Sequence, residues 1–527
     1  MSTAPHLPGT PVPATPATPA TLPALLAHRA AAHGERTAVV CGAQRLDFAA
    51  WQARSGALAA ALRAEGVRSG DRVGLCFGTD RWAEYAVAFL AVLRAGAVAV
   101  PLSDRASPAG TAHALTDAGA RLLLHADGGP RPPGVPDGVR TRTEATATAT
   151  AHHPADPADP AIPGTPGLPE PDPDAPAQIL YTSGTTGTPK GVTARHANLV
   201  HGCTLDERRR PLRHSRTFLH AFPVGTNAGQ TMLVNALNAH AACVTAPQFT
   251  PARFVRLIAE HAVGSVFLVP ATAVELLASR ALAAAAERGD LDTVRLVGST
   301  AAALPQPVAL ALDRAFGKAQ LVNYYTSTEA APAQVTLLFD PARPDSPGRP
   351  ASLAELRVTD ADGHPVAPGE PGELWLRSPA APRAYLGERD GAVFRGRWVR
   401  MGDLGRVDAD GFLHLLDRER DVVKSGAHKV STLQVENALH AHPKVADAAA
   451  FGVPHPVLGS VVAAVVVPDG ELTAAELRTF LLDHLAVHEL PATVHFRTTL
   501  PRNEGGKVLK RQLRRTLTTP DTPEATP

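Results

Sequence analysis

Residues 181–192 contain a dense group of side chains that could bind an anion. They read Tyr-Thr-Ser-Gly-Thr-Thr-Gly-Thr-Pro-Lys-Gly-Val. Glycine lets the backbone fold tightly enough for its N–H groups to face an anion, while hydroxyl groups add donors and lysine adds a mobile positive charge. The segment is not a Walker A loop, because Gly-x-x-x-x-Gly-Lys-[Ser/Thr] is absent. It predicts a polyphosphate site, with a flexible connecting loop as the alternative, at Thr182, Ser183, Gly184, Thr185, Thr186, Gly187 and Lys190.

This segment resembles the phosphate-binding signature of the adenylate-forming superfamily, which includes acyl-CoA synthetases, peptide-synthetase adenylation domains and luciferases. Further motifs in the family's order extend the resemblance over roughly residues 20–515. The resemblance implies an α/β fold. A large N-terminal domain of two αβ subdomains plus a small β-barrel-like subdomain would be followed by a mobile α+β C-terminal domain. Strands alternating with helices before residue 340 favour a parallel α/β sheet independently of the resemblance.

A second motif, Asn-Tyr-Tyr-Thr-Ser-Thr-Glu at 323–329, matches the family's Tyr-Gly-x-Thr-Glu. By resemblance, Glu329 holds Mg²⁺ between the ATP phosphates, Thr328 contacts the α-phosphate and Tyr325 lies on the adenine. Mg²⁺ prefers hard carboxylate oxygens, which fits a glutamate. The alternative is an ordinary strand end with a surface glutamate. Thr326 replaces the usual glycine and is expected to crowd the backbone beside the ligand.

Two further residues resemble the family's ribose contacts. Asp403 ends the segment Trp-Val-Arg-Met-Gly-Asp and matches an aspartate that accepts hydrogen bonds from both ribose hydroxyls. Arg418 matches the arginine that assists at the ribose and phosphate. Alone, the Gly-Asp pair would indicate only a turn. Arg420 occupies the family's hinge position, where Asp or Lys is common.

Lys507, in Pro-Arg-Asn-Glu-Gly-Gly-Lys, resembles the C-terminal lysine that reaches over the active site during adenylation. Its ammonium would stabilise negative charge between the attacking oxyanion and the α-phosphate. The alternative is a solvated lysine after a Gly-Gly turn. Only seven of the 51 basic residues are lysine, and Lys190, Lys424 and Lys507 all fall inside motifs. Retention of lysine against this bias favours sites that need a compact charge on a flexible stem.

The chain departs from common acyl-CoA synthetases in three segments that the resemblance places around the acid. Thr226 stands where a histidine is usual, and Asn227 resembles the asparagine that meets ring hydroxyls in aryl-acid adenylases. Buried polar groups must be paired, so a long alkyl chain would leave them unsatisfied. This predicts a small polar or aromatic acid. The alternative is that the hydroxyls bond to backbone and the substrate meets only alanine. The predicted pocket residues are Thr226, Asn227, Ser299, Thr300, Thr326 and Ser327.

The predicted reaction is ATP-dependent activation of that acid as an acyl-adenylate, with loss of pyrophosphate. A carboxylate is ionised near pH 7, so the chemistry needs alignment and charge neutralisation and no general base. One alternative is a diazotase that activates nitrite as nitrosyl-AMP and diazotises an aryl amine. A second is a medium- or long-chain fatty acyl ligase. A non-catalytic nucleotide-binding or scaffold protein of the same fold should have lost Glu329, Asp403 or Lys507. The sequence retains all three, which favours an enzyme.

The acceptor in a second half-reaction is less defined by the sequence. Residues 424–430, Lys-Ser-Gly-Ala-His-Lys-Val, resemble a glycine-rich loop that meets pantetheine after the C-terminal domain rotates. Ala427 replaces the usual second glycine. A thiol on CoA, or on a carrier protein acting in trans, is the expected partner. The predicted ligands are therefore ATP, Mg²⁺, a small acid and a thiol.

Composition excludes several other classes of protein. The 527 residues are 44% hydrophobic, and a net charge of +1 gives no reason to expect nucleic acid. Four cysteines without metal-type spacing do not form a disulfide framework. No signal peptide or apolar run of about 18 residues is present, so a cytoplasmic protein without a membrane span is expected.

The domain boundaries follow composition and periodicity. We predict a disordered segment at 1–20, an AMP-binding domain at 21–416 with a Pro/Ala/Thr-rich loop at 144–176, a hinge at 417–421, a C-terminal domain at 422–515 and a disordered tail at 516–527. Helices are predicted at 57–65, 82–94, 432–440 and 474–484. Strands are predicted at 97–101, 373–377, 412–416, 448–453 and 461–467.

Overall fold

A computed structural model describes residues 18–151, 170–182, 189–352, 355–387 and 392–518. Five residues of the predicted phosphate loop therefore lie outside the described residues: Ser183, Gly184, Thr185, Thr186 and Gly187. The predicted disorder at 1–17 and 519–527 lies outside them too. The rest forms a large N-terminal domain and a smaller C-terminal domain, which confirms the predicted α/β class.

The first sheet of the large domain has nine strands, and its six central strands run parallel. In α/β sheets, ligands bind beyond the carboxyl ends of parallel strands. Ser299 and Tyr325 are the last residues of two neighbouring strands, so the topology places both at that edge. From one edge of the sheet to the other the strands are Arg349–Pro350, Val335–Leu338, Gln320–Tyr325, Leu296–Ser299, Ser265–Leu268, Thr217–His220, Ala242–Thr245, Thr37–Cys41 and Gln44–Asp47.

The second sheet of the large domain has seven strands and carries the phosphate-loop segment between two of them. Thr182 ends one strand and Lys190 begins its antiparallel neighbour, directly opposite in register. In order the strands are Ala384–Tyr385, Lys190–Arg195, Pro176–Thr182, Val98–Ser103, Arg72–Phe77, Leu122–His125 and Arg140–Arg142.

A helix packed between the two sheets explains why they form one domain. The helix Trp82–Arg94 is buried along 82–93, and it contacts strands of both sheets. A helix that is apolar on all sides must be covered on all sides. The other α-helices of this domain are Leu22–His33, Phe48–Ala64, Pro108–Asp117, Glu144–Ala151, His196–Val200, Asn227–Asn238, Pro251–Glu260, Pro270–Leu277, Arg280–Arg288 and Gln306–Ala315, with 3-10 turns at Thr79–Arg81 and Glu207–Arg209.

The third sheet of the large domain is antiparallel and leads into the small domain. Its strands, in order, are Leu356–Thr359, Gly372–Arg377, Trp398–Val407 and Phe394–Arg395, and Leu413–Arg418 pairs with Trp398–Val407. The small domain has a sheet of His428–Val430, Val423–Ser425, Gly459–Pro468 and Val445–His455, with Thr493–Phe496 beside Gly459–Pro468. Its helices are Thr432–His440, Ala474–Leu482 and Lys510–Thr518, with a 3-10 turn at Val487–Glu489.

Several boundaries predicted from the sequence need correction. The helix predicted at 57–65 begins at Phe48, where the Asp47 side chain accepts a hydrogen bond from Ala50 N and caps it. The loop predicted at 144–176 begins with a helix, because the fork of Arg54 binds the Glu144 carboxylate at 2.7 and 2.9 Å. The tail predicted from 516 begins inside the helix Lys510–Thr518, whose Leu513 is buried against the small-domain sheet.

Asp417 and Arg418, the first two residues of the predicted hinge at 417–421, belong to the strand Leu413–Arg418. Asp417 is buried and fixes the start of the small domain: its carboxylate accepts hydrogen bonds from Thr432 N at 2.5 Å and Arg418 N at 2.7 Å. Burial raises the pKa of this carboxyl group. Among the described residues, each helix is too short or too polar to span a bilayer.

Candidate active site

A cavity of about 1590 Å³ lies between the large and small domains. Tyr325, Asp403 and Arg418 of the large domain line it, and Lys507 of the small domain lines it from the opposite side. Four residues that the sequence predicts for one site therefore meet in one cavity, although Tyr325 and Lys507 are 182 positions apart in the chain. An interdomain cleft of this kind is the usual place for a ligand site.

Asp403 is the polar centre of the large-domain wall. The Tyr325 hydroxyl donates a hydrogen bond to Asp403 Oδ2 at 2.7 Å, and Arg418 Nε lies 3.4 Å from Asp403 Oδ1. Asp403 and Arg418 face each other in the antiparallel ladder, so the backbone itself sets their pairing. Burial and the Asp403 carboxylate raise the pKa of Tyr325 well above its usual range. Tyr325 therefore stays a neutral donor that orients the carboxylate.

Lys507 is held in place by a tight turn. Lys507 N donates to Asn503 Oδ1 at 2.9 Å, and Arg502 Nη1 donates to Gly506 O at 2.7 Å. Burial is the main cause that lowers the pKa of Lys507 to about 7, with Arg418 and Arg420 adding to it. A half-buried ammonium beside two guanidinium groups is stabilised by an anion that enters the cavity. The turn therefore places in the cavity a lysine that is partly deprotonated near pH 7. A bound phosphate would raise its pKa and favour the charged form.

Gly506 allows this close approach between the domains. Its φ of +79° is a conformation that L side chains rarely adopt, and a Cβ there would lie 2.8 Å from Val269 Cγ2 of the large domain. A side chain at this position would therefore push the small domain away from the cleft. The domains also meet where Asn437 Oδ1 accepts a hydrogen bond from Gln306 N at 3.2 Å.

Glu329 lies beside the strands that flank the phosphate-loop segment. The Tyr385 hydroxyl donates to Glu329 Oε1 at 3.1 Å, and Lys190 Nζ lies 4.8 Å from the centre of the Tyr385 ring. The strand Ala384–Tyr385 pairs with Lys190–Arg195, which keeps these three side chains together. A half-buried carboxylate with one oxygen oriented by a phenol, and with no other hydrogen bond among the described residues, fits a hard divalent cation.

The predicted acid pocket is less polar than the sequence indicates. Thr226 caps the helix Asn227–Asn238, accepting from Gly229 N at 3.0 Å and donating to Pro223 O at 2.8 Å. Thr326 donates to Ala333 O at 2.6 Å, and Ser327 accepts from Ala330 N at 3.1 Å. These hydroxyl groups satisfy backbone atoms, as the sequence alternative allows. The hydroxyl of Thr300 likewise donates to Tyr324 O at 3.4 Å.

Two of the six predicted pocket residues keep polar atoms available. Ser299 is buried, lines the cavity, and its Oγ has no hydrogen-bond partner among the described residues. Asn227 uses its side-chain oxygen, but its amide nitrogen has no partner within the part of the chain that the structure describes. The prediction of a broadly polar pocket is therefore corrected to two polar positions.

Sequence reasoning missed Arg383, which no motif marks. This arginine is only 6% exposed and lies against the Thr328–Glu329 segment, with Nη1 donating to Thr328 O at 3.0 Å. Burial lowers its pKa to about 10, and the nearby Glu329 carboxylate opposes that shift. Burial of an arginine depends on tertiary packing, which a single sequence does not reveal. Tyr385, two residues later, was missed for the same reason.

A second cluster of possible metal ligands lies outside this site. The ligand atoms of His33, Glu207 and His240 lie within 4.8 Å of one another. The guanidinium groups of Arg29 and Arg210 help to lower the pKa of His240 to about 3, although burial is the main cause. Two positive charges oppose a divalent cation. This cluster is a poor cation site.

Comparison with known proteins gives matches over nearly the whole chain. The model for AMP-binding enzymes matches residues 26–386, and the model for the AMP-binding enzyme C-terminal domain matches residues 434–507. A feruloyl-CoA synthase of Amycolatopsis sp is 34% identical over 497 residues, which cover 91% of this chain and 95% of the relative. The fatty acid–[acyl-carrier-protein] ligase ScoC of Streptomyces coeruleorubidus is 29% identical over 495 residues, covering 90% of this chain and 92% of the relative.

A solved structure shares the architecture. The o-succinylbenzoate coenzyme A synthetase MenE of Bacillus subtilis, in complex with ATP and magnesium ion, matches with a TM-score of 0.77 and 26% identity. The match covers 93% of this chain and 98% of that one. The two-domain arrangement described above is thus similar to that of a structure with a nucleotide in place.

Proposed function

The chain belongs to the AMP-binding enzymes, a family of ATP-dependent, AMP-forming ligases, and we propose that it activates a small aromatic or polar carboxylic acid as an acyl-adenylate. The observation that carries this proposal is the cavity in which Lys507 faces Tyr325, Asp403 and Arg418. A lysine supplied by one domain to a nucleotide-sized cleft in another has a clear use in phosphoryl chemistry. It neutralises charge at the phosphorus under attack.

The proposed first step is an in-line displacement. A carboxylate oxygen of the acid forms a bond to the α-phosphorus of ATP, the bond from that phosphorus to the bridging oxygen breaks, and pyrophosphate leaves. Asp403 orients the ribose, and Lys507 offsets the negative charge that builds at the α-phosphate. Glu329 is the proposed ligand of Mg²⁺, which neutralises phosphate charge when bound. No proton needs to move, because the acid enters ionised.

Two features support an aromatic or small polar acid. Asn227 and Ser299 offer polar atoms that an alkyl chain would leave unpaired. The chain is also more similar to the feruloyl-CoA synthase, at 34% identity, than to the fatty acid ligase, at 29%. Neither relative is named for nitrite chemistry, and nothing else supports the diazotase alternative.

We infer that the second substrate is a thiol, on CoA or on a carrier protein. Lys507 lines the cavity, whereas residues 424–430 lie outside its lining. Lys424, His428 and Lys429 of that segment are exposed or partly exposed, and the His428 ring stacks on His488 with centroids 4.1 Å apart. Thiol transfer would therefore require the small domain to rotate about residues 419–422, carrying this segment to the cleft.

The substrate class is tested by pyrophosphate release from the purified enzyme with ATP and Mg²⁺. The panel contains benzoate, 2-hydroxybenzoate, ferulate, palmitate, amino acids, and nitrite with and without an aryl amine. We expect the aromatic acids to support the fastest release. Faster turnover of palmitate would overturn the proposed substrate class, and stimulation by nitrite alone would favour nitrosyl-AMP.

The lowered pKa of Lys507 predicts a pH dependence. Only the protonated lysine neutralises charge, so its contribution is complete well below pH 7 and is lost as the pH rises through the pKa of about 7. We expect kcat/KM for ATP to fall about tenfold per pH unit above that value. The kcat profile should fall at higher pH, because bound phosphates raise the lysine pKa. In Lys507→Arg, the residual kcat/KM should lack this fall, and an identical fall in both enzymes would assign the titration to another group.

A further inference from the structure

Arg383 is a buried cation between the proposed acid pocket and the proposed magnesium ligand. It immediately precedes the edge strand Ala384–Tyr385, which pairs with Lys190–Arg195 beside the phosphate-loop segment. Its side chain is 6% exposed, and its Nε has no hydrogen-bond partner among the described residues. Burial of a charged group is costly unless it is well paired, so its position calls for a specific use.

One side of Arg383 faces the acid pocket. Its Nη1 donates to Asn227 Oδ1 at 3.3 Å, at the first turn of the helix Asn227–Asn238. This bond uses the side-chain oxygen of Asn227 and fixes which end of the amide is available. The amide nitrogen, which has no partner in the described part of the chain, can then only donate. Asn227 would thus bind a hydrogen-bond acceptor on the substrate.

The other contact of Arg383 reaches the segment that carries Glu329. The same Nη1 donates to Thr328 O at 3.0 Å, which is possible because each terminal nitrogen of a guanidinium carries two hydrogens. Tyr385, two residues later in the adjoining strand Ala384–Tyr385, donates to the Glu329 carboxylate at 3.1 Å. Arg383 and Tyr385 therefore hold the backbone before Glu329 and the Glu329 side chain, respectively.

We propose that Arg383 is a positioning residue that couples the acid pocket to the magnesium-binding carboxylate. Through Asn227 it selects acids that carry a hydrogen-bond acceptor near the carboxylate, such as a ring hydroxyl oxygen. Through Thr328 it sets the position of Glu329. This inference rests on the proposed function, because it assumes that the acid lies beside Asn227. A lysine would have to bring the ammonium of a shorter, flexible side chain to the position of Nη1 in order to reach both acceptors.

The inference is tested with Arg383→Met and Arg383→Lys, with Arg377→Met as the matched control. Arg377 is an exposed arginine on the strand Gly372–Arg377 and does not line the cavity. Pyrophosphate release is measured against the concentrations of the acid and of Mg²⁺. We expect both Arg383 variants to raise the KM for the acid and the half-saturating Mg²⁺ concentration, each by about 10-fold or more. Unchanged values in folded Arg383→Met would overturn the proposal.

A second variant remains informative even if Arg383→Met fails to fold. Asn227→Asp keeps an oxygen for Arg383 but removes the amide donor. The ratio of kcat/KM for 2-hydroxybenzoate to that for benzoate is expected to be well above one in the wild type and to fall about tenfold in Asn227→Asp. A ratio that the substitution leaves unchanged would overturn the assigned role of Asn227.

The outcomes separate this inference from the proposed function. If no carboxylic acid supports pyrophosphate release by the wild type, the proposed function fails. If the wild type turns over an acid while the Arg383 variants match the Arg377→Met control, only the inference fails. Thermal unfolding of each variant shows whether a loss of activity merely reflects loss of the fold.

Discussion

Replacement of Lys507 by alanine is expected to lower the rate of acyl-adenylate formation by about 100- to 1000-fold, the size of effect seen when a preorganised charge-stabilising donor is removed. Lys507 lies in the cavity lining opposite Tyr325, Asp403 and Arg418, and its backbone is fixed by the turn at 503–507. Truncation removes the ammonium without disturbing that turn. ATP binding should weaken much less than catalysis, because Asp403 and the large-domain contacts remain.

The measurement is the single-turnover rate of pyrophosphate release at saturating ATP and acid. Lys444→Ala is the matched control, since Lys444 also lies in the small domain but pairs with Glu476 on the surface at 2.8 Å. Transfer from preformed acyl-adenylate to the thiol should be nearly unaffected in Lys507→Ala. Pyrophosphate release at the wild-type rate in this variant would remove the lysine from the proposed mechanism.

The sequence predicted some elements to the residue. The helices at 82–94 and 432–440 have the predicted bounds, Trp82–Arg94 and Thr432–His440. In the first, an apolar run ends at a glycine. In the second, Ser431 provides a clear N-cap by accepting from Gln434 N at 3.1 Å. Signals of this kind depend only on neighbouring residues, so tertiary contacts do not shift these helix ends.

Other boundaries depend on contacts that the sequence does not show. The strand predicted at 448–453 extends over Val445–His455, because its partner Gly459–Pro468 pairs with it along the whole length. The helix Glu144–Ala151 is anchored by the distant Arg54. Both extensions come from tertiary contacts that override weak local preference. They could be found only once the partner element had been placed.

The residues of the candidate site also fall into two groups, those that motifs predict and those that depend on tertiary contacts. Tyr325, Asp403, Arg418 and Lys507 were located by motif spacing, and the fold brings them to one cavity. The sequence predicts that hydroxyl residues such as Thr226 and Thr326 contact the substrate, because hydroxyl groups can bind polar ligands. In the structure their hydroxyl groups donate hydrogen bonds to backbone carbonyl groups instead. Side chains of this kind bond locally to the backbone very readily, and a sequence cannot show which partner prevails. Arg383 was missed for the opposite reason, since its use depends wholly on burial.

Gly506 is a second small-domain residue whose replacement should have a large effect on the rate of adenylation. In Gly506→Ala, the new Cβ would lie 2.8 Å from Val269 Cγ2, and the φ of +79° would be strained as well. We expect adenylation to slow by about 10- to 100-fold, because the turn carrying Lys507 could no longer approach the large domain closely. Thiol transfer from preformed acyl-adenylate should be largely retained, since we propose that it uses another arrangement of the domains.

The control Gly470→Ala distinguishes the effect of the steric clash with Val269 from the effect of backbone strain. Gly470 lies in the same domain with a φ of +88°, but a Cβ there meets nothing within 4 Å. Both variants should lose about 1–2 kcal/mol of the free energy of unfolding from the left-handed conformation, whereas only Gly506→Ala should slow adenylation. Equal effects of the two substitutions on pyrophosphate release would mean that backbone strain alone is responsible. A selective effect of Gly506→Ala would tie adenylation to the fit between the turn at 503–507 and Val269, because only that substitution obstructs it.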